Sequence, residues 1–372
     1  MHYYIYATKD AWISSGSSHI DGTSYRDQNF GQDEILELKK VYWNQSFDYQ
    51  TRILVSFSGT EFTNVSQSIV NGNITDPKYF LRLYEAAGNQ ELSTEYVIGA
   101  YPLSESWDQG TGKFKDDPKV TNGVSWKNRN YYPGNSAVTM SRYGGYYYSG
   151  SGYQASQSFS YESPDINMDV TDIVNKWLGG SSNYGLLLKF SGSQESATGT
   201  DGTITYGQLK FFSSQTNTIY QPKLEVRWDD HKPCTGSNTG SLTELTMSGA
   251  VENTLFMKGL RESYREAEKV KFRVMPRARY IPKSFSTSAQ TVTGSYIPEG
   301  SGSYSIIDMA TNETIIPFSA YTSMSCDTTS NYFIQWMNGF QPYRAYKIIY
   351  KIKYNDGQEV IHDNDFEFVV RS

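Results

Sequence analysis

Four histidines, His2, His19, His231 and His362, are the side chains here that titrate near neutral pH and readily hold metals. None stands at ligand spacing from another histidine or from a cysteine, so each reads as a solvated surface residue and no metal site is expected. The two cysteines, Cys234 and Cys326, lie far apart in the sequence, which speaks against a disulfide framework and against a zinc site. Serine is abundant, yet no Gly-x-Ser-x-Gly elbow occurs, and Gly150-Ser151-Gly152 lies in a low-complexity run. No phosphate-cradling glycine motif occurs either, so neither nucleotide chemistry nor a cofactor is expected. Paired carboxylates need no local motif, because distant strands can bring them together. Glu105, Asp108, Asp165 and Asp169 fall near candidate strand ends, where capping of backbone amides is the expected role. Asp165, Asp169 and Asp172 lack the spacing of a calcium loop. No catalytic residue is assigned, and an enzyme is not expected.

The aromatic residues point to binding instead. Trp107 and Trp126 could offer flat faces to a sugar, but isolated tryptophans on sandwich strands are expected in the core. Tyrosine is different: 31 occur in the chain. Residues 130–160 hold Tyr131, Tyr132, Tyr143, Tyr146, Tyr147, Tyr148 and Tyr153 among glycines and serines, with Tyr161 just beyond. Rigid rings joined by small residues are the make-up of adaptable contact loops. These seven tyrosines are the candidate contact surface.

The elements that must carry such a surface are strands. Short β-type runs separated by turn clusters dominate, so the expected class is all-β. One short helix is expected over 170–177, capped by Thr171, with Ile173, Val174 and Trp177 on one face. After it, Asn183-Tyr184-Gly185 leads back into a buried strand through Leu186, Leu187 and Leu188. Residues 260–269 have a helical look but read as a lead-in to a strand, because Lys271 and Arg273 alternate with Val270, Phe272 and Val274. At 372 residues the chain is too long for one ordinary core, so two domains are expected. The polar stretch 229–241 reads as the linker, with a jelly-roll-like sandwich over 1–228 and an immunoglobulin-like or fibronectin-like sandwich over 242–372. In the latter, Asn355-Asp356-Gly357 is a hairpin turn, and the run from Gly339 to Tyr346 reads as a corner covered by a tyrosine. The two parts are expected to fold separately.

Composition limits the partners. A charge of −6, a pI near 5.4 and evenly scattered acids argue against a nucleic-acid surface. Mean hydropathy is −0.57 and no apolar run approaches a membrane span, so a soluble protein without membrane insertion is expected. The start, Met1-His2-Tyr3-Tyr4-Ile5-Tyr6, has no basic, apolar and small-residue pattern of a cleaved export signal.

Read in order, several short motifs carry a resemblance. They are Asp10-Ala11-Trp12-Ile13, Asn29-Phe30-Gly31, the strand with Leu36 and Leu38, Arg52-Ile53-Leu54-Val55-Ser56-Phe57, and Leu81-Arg82-Leu83-Tyr84. Ser106-Trp107, Val124-Ser125-Trp126, the helix at 170–177, Phe212-Ser213-Ser214 and Gln221-Pro222-Lys223-Leu224-Glu225-Val226 complete the series. Over about 228 residues this order resembles the DNRLRE family, jelly-roll-type sandwiches related to carbohydrate-binding modules and found in secreted glycan-processing proteins and some phage structural proteins. The chain departs from that pattern in having Asp108 where the acid usually comes one place later, and in long insertions. The second half, including Tyr304-Ser305-Ile306-Ile307-Asp308 before the Asn312-Glu313 turn, resembles structural proteins of tailed phages. The resemblance implies a non-enzymatic decoration or connector protein of a tailed-phage virion, assembled in the host cytoplasm. Its partners would be other virion proteins or copies of itself, with a host-surface glycan as a further partner. The alternative it implies is an extracellular carbohydrate-binding module with an appended sandwich.

Overall fold

The computed structural model describes the chain except for residues 19–21, 44–45, 58, 88–94, 132–135, 161–164, 196–203, 249–252, 281–284, 286 and 290–292, and the side chains of 43–49. It is an all-β protein of sandwich architecture in two compact units, one of residues 4–226 and one of residues 1–3 with 227–372.

In the unit 4–226, alternation builds the half-buried strands. Lys78–Leu83 buries Tyr79, Leu81 and Leu83 and turns Lys78, Phe80 and Arg82 the other way. It lies in a four-stranded sheet ordered His2–Tyr6, Lys223–Arg227, Lys78–Leu83, Ile166–Asp169. The larger sheet runs Ala155–Ser160, Glu95–Pro102, Leu186–Phe190, Ser46–Ser56, Ile35–Trp43, Gly207–Phe212, Glu85–Ala87, with Lys9–Ser14 also paired to Ser46–Ser56. Leu186–Phe190 is buried at every residue, because strands flank it on both sides and both of its faces are covered. Its Leu187 sits in register between Leu54 and Tyr101.

The helix Thr171–Leu178 buries Ile173, Val174 and Trp177, as its spacing requires. Its capping differs from expectation. The amide of Thr171 donates to Asp169 Oδ1 at 2.9 Å, while Thr171 Oγ1 accepts the amide of Tyr79, also at 2.9 Å, and so ties the helix to the sheet. A second helix, Thr60–Val70, corrects the expectation of one. Threonine, serine, asparagine and valine are weak helix formers, and only Val65 is buried, so the segment carries little helical signal. The Phe62 ring meets Trp177 edge-on at 6.3 Å, a contact between helices that no local pattern encodes.

The second unit pairs a four-stranded sheet, Asn253–Lys258, Lys269–Ala278, Asn331–Trp336, Ser325–Cys326, with a five-stranded one, Ser263–Arg265, Glu359–Arg371, Ala345–Lys353, Gly302–Asp308, Thr314–Ile316. Its core is a ring stack: Tyr304 lies on Phe333 at 3.7 Å and Phe333 on Phe272 at 5.0 Å. Lys269–Ala278 alternates as expected, and Gly357, at φ +87°, supplies the left-handed position of the hairpin turn. Tyr346 covers the corner, its hydroxyl accepting the amide of Gln341 at 2.7 Å.

Residues 229–241 are not a free linker. Cys234 and Cys326 form a disulfide with Cα atoms 4.8 Å apart, the opposite of the expectation from their separation of 92 residues. The Cys234 amide donates to Glu299 Oε2 at 2.6 Å, and the Lys232 amide to Ser325 Oγ at 3.0 Å. A polar composition therefore conceals a segment fixed by one covalent bond and by hydrogen bonds to residues distant in sequence. Residues 1–3 also belong to this unit: the Gln335 amide donates to the His2 carbonyl at 3.1 Å, and Tyr3 meets Trp336 edge-on at 5.8 Å. The unit boundary thus falls at 226/227 and again at 3/4, not in a stretch at 229–241.

Candidate functional site

The tyrosine-rich segment is a folded layer on the larger sheet of the unit 4–226. The amide of Ser104 donates to the Tyr146 carbonyl at 3.0 Å, that of Tyr148 to the Pro102 carbonyl at 3.0 Å, and that of Gly144 to the Trp126 carbonyl at 2.7 Å. Its end becomes the strand Ala155–Ser160, paired along its length with Glu95–Pro102. Beneath lies an apolar cluster of Ala11, Ile13, Leu54, Leu103, Trp107, Val124, Trp126, Met140 and Leu187.

A buried ionic knot fastens the layer. Glu195 accepts Arg52 Nε at 2.6 Å and Nη2 at 3.0 Å, and Lys189 Nζ at 2.6 Å. The remaining Arg52 nitrogen, Nη1, donates to the Gly144 carbonyl at 2.6 Å. Two cations on one carboxylate leave a net positive charge, which faces rings: Arg52 lies 5.0 Å from Trp126 and 6.0 Å from Tyr147, and Lys189 5.6 Å from Tyr147. Gly144, at φ +82°, is packed so tightly on Trp126 and Arg52 that a β-carbon would approach within 2.7 Å of the indole.

The structure sorts six of the seven tyrosines. Tyr143, Tyr146 and Tyr148 are exposed at 51%, 47% and 49%. Tyr147 is half-buried and joins the core, its ring tilted against that of Tyr101 with centroids 4.9 Å apart. Tyr153 is half-buried against Tyr148, with Lys176 Nζ 5.3 Å from its ring. Tyr131 is half-buried and its carbonyl accepts the Gly123 amide; Tyr132 lies outside the described residues. Two cations that the sequence pattern did not single out accompany the layer: Arg26 lies over the exposed Tyr143 at 5.8 Å and Arg142 over the half-buried Tyr147 at 6.0 Å. A signal was present, because no aspartate or glutamate occurs between Asp117 and Glu162, whereas Lys119, Lys127, Arg129 and Arg142 do.

Trp107 and Trp126 are core residues, 2% and 6% exposed, and offer no free face. The acids near strand ends serve the backbone: Glu105 accepts the Ser141 amide and hydroxyl, Asp165 the Glu85 amide, and Asp169 the Thr171 amide. Among the described residues no three histidine, cysteine or acidic side chains gather as a metal site. The histidines are not all solvated: His2 is fully buried, His231 Nε2 lies 2.6 Å from Glu299, and His362 is half-buried, which lowers its pKa. His19 lies outside the described residues.

The same unit holds a second feature, a cleft of about 550 Å³ lined by Trp12, Asp33, Glu34, Glu37, Phe114 and lysines. Trp12 stacks on Phe30 at 3.9 Å and forms its floor, donating its indole N–H to Asp33 at 2.8 Å. Phe114, 44% exposed, and Glu34 stand open at the rim. Burial raises the pKa of Asp33 against the hydrogen bonds from Phe114 N–H and Trp12, which lower it.

No protein-family model and no curated protein matches the chain. Among solved structures, the adhesin domain of Epf from Streptococcus pyogenes aligns over 100% of this chain and 92% of its own at 8% identity, with a TM-score of 0.16. A beta-1,2-glucanase from Parabacteroides distasonis aligns over 100% of this chain and 37% of its own at 9% identity, with a TM-score of 0.18. Likeness at that level carries no argument about fold or activity. Among the described residues, no helix is long and apolar enough to cross a membrane.

Proposed function

We propose that this chain is a non-enzymatic structural protein acting by protein–protein contact, a decoration or connector protein of a tailed-phage virion. One observation carries the contact reading: three exposed tyrosines stand on a backbone held to the sheet by hydrogen bonds and by the Arg52–Glu195–Lys189 knot. Rings already held in place lose little freedom on binding, so more of their contact energy appears as affinity. The virion setting rests on the family resemblance of the first half and the phage-protein resemblance of the second. The disulfide supports a working place outside the reducing cytoplasm, which a released particle and an extracellular protein share.

A second reading, an extracellular carbohydrate-binding module, is favoured by the cleft, where an open phenyl face beside carboxylates and lysines is suited to a sugar ring and its hydroxyls. Replacing Tyr143, Tyr146 and Tyr148 with serine separates the two. The contact reading expects an intact fold and weakened association, with itself or with large particles, by mass photometry and electron microscopy. A triple variant that associates as wild type does, in a protein that binds a polysaccharide array, overturns it in favour of the carbohydrate module.

A further inference from the structure

The cations that alternate with Val270, Phe272 and Val274 lie in the second unit and have no part in the tyrosine layer. Burial follows the alternation in Lys269–Ala278: Val270, Phe272, Val274 and Pro276 face the core, and Lys269, Lys271, Arg273 and Arg277 stand on the outer face of the four-stranded sheet. Register adds to that face, because residues directly opposite in an antiparallel pair point the same way. Lys258 lies opposite Arg273, and Phe256 opposite Met275. Lys258, Lys269, Lys271 and Arg277 are exposed, and so is the Phe256 ring, with the Arg277 guanidinium 5.8 Å from its centre.

This unit has as many aspartates and glutamates as lysines and arginines, so the face is a segregation of charge and not a sample of the unit's composition. No acid occurs between Glu268 and Glu299. Asp327 reaches the face from the adjoining turn and is shared by Arg273 at 2.8 Å and Lys271 at 2.7 Å, whose hydrogen bonds hold its carboxyl well below the usual range. Lys258, Lys269 and Arg277 make no ion pair among the described residues. Sheet surfaces that face only water usually mix both signs, whereas matched single-sign patches mark contacts.

We propose that this face docks an acidic extended strand of another protein, its alternate carboxylates meeting Lys269, Arg277 and Lys258 and an apolar side chain packing on Phe256. Side chains on one face of a strand repeat at about 7 Å, so a strand with acids at alternate positions matches the cation row, and sheets pack face to face with their strands nearly aligned. The charge of −6 favours so short a ligand over a long polyanion, which would meet acidic surface beyond the face. The proposal extends the protein-contact reading to the second unit and uses no residue of the tyrosine layer, so either can fail alone.

Fluorescence anisotropy on the whole chain tests it, with labelled peptides of ten residues, the length of Lys269–Ala278. One peptide alternates glutamate with threonine, and the other has the same composition with its glutamates in one block. The alternating peptide should bind in low salt with a Kd on the order of 100 μM, at least about three-fold tighter than the block peptide, and should weaken as salt is added. Lys269→Glu with Arg277→Glu should abolish binding and Lys269→Gln with Arg277→Gln should weaken it. Both side chains are exposed and outside any ion pair, so circular dichroism and melting temperature should stay as in wild type. The triple tyrosine variant should bind the peptide as wild type does. Equal affinity for the two peptides, binding that survives in the glutamate variant, or no binding up to about 1 mM overturns the proposal. So does tighter binding of an oligothymidylate or of phosphatidylserine vesicles that the glutamate variant loses, which reassigns the face to nucleic acid or to lipid.

Discussion

Glu195→Gln is the sharpest test of how the tyrosine layer is held. The side chains of Arg52 and Glu195 are 7% and 9% exposed, and that of Lys189 is 7% exposed, so water contributes little to their solvation. Each cation sits at hydrogen-bond distance from the carboxylate, where an effective dielectric near 20 gives about 4 kcal/mol per pair. Much of that is offset by the cost of burying the charges, but the substitution does not recover this cost, because both cations stay buried and now repel each other. Removing one member of a buried ionic group typically costs about 3 to 5 kcal/mol. For a unit of this size that is on the order of 10 °C in Tm. Urea denaturation followed by tryptophan fluorescence measures it. Exchange of the Ser104, Gly144 and Tyr148 amides should quicken as well, since Arg52 is what grips the Gly144 carbonyl. Adding Lys189→Met to Glu195→Gln removes one of the stranded cations, so the double variant should lose less than the sum of the two single losses. A loss below about 1 kcal/mol with unchanged exchange refutes the reasoning, because it means the knot is solvated and does not fasten the layer.

Asp10 is 1% exposed and burial pushes its pKa up to about 6, against hydrogen bonds from the Ser214 amide and hydroxyl. Its protonated form thus favours the folded state, a contribution present in full below the unfolded value near 4 and lost as pH rises through 6. Asp10→Asn should therefore be more stable than wild type at pH 7.5, by up to about 3 kcal/mol, and equal to it near pH 4; an equal difference at both pH values in urea titrations contradicts this. Cys234→Ser with Cys326→Ser opens a loop of 92 residues and should cost the second unit about 4 kcal/mol. Two-transition calorimetry should show only that unit's transition falling, and a fall in both contradicts the division of the chain.

What is local and periodic could be read directly from the order of the residues. Alternation in Lys78–Leu83 and Lys269–Ala278 specifies half-buried strands, the spacing of Ile173, Val174 and Trp177 specifies a one-sided helix, and Asp356-Gly357 specifies a tight turn. The concentration of tyrosine at 130–160 was equally plain. Which of those rings are wet was not, because Tyr147 and Tyr148 are adjacent in the chain yet one packs on Tyr101 and the other faces solvent. That choice depends on a strand 46 residues away. The same reason hid the rest: Arg52 and Glu195 are 143 positions apart, Cys234 and Cys326 are 92, and Phe114 reaches Asp33 across 81. A charge, a thiol or an acid carries no mark of its partner until the sheets bring the two together. It therefore took the packed sheets to show that a polar stretch is stapled and not a linker, and that the acids beside Trp12 line a cleft.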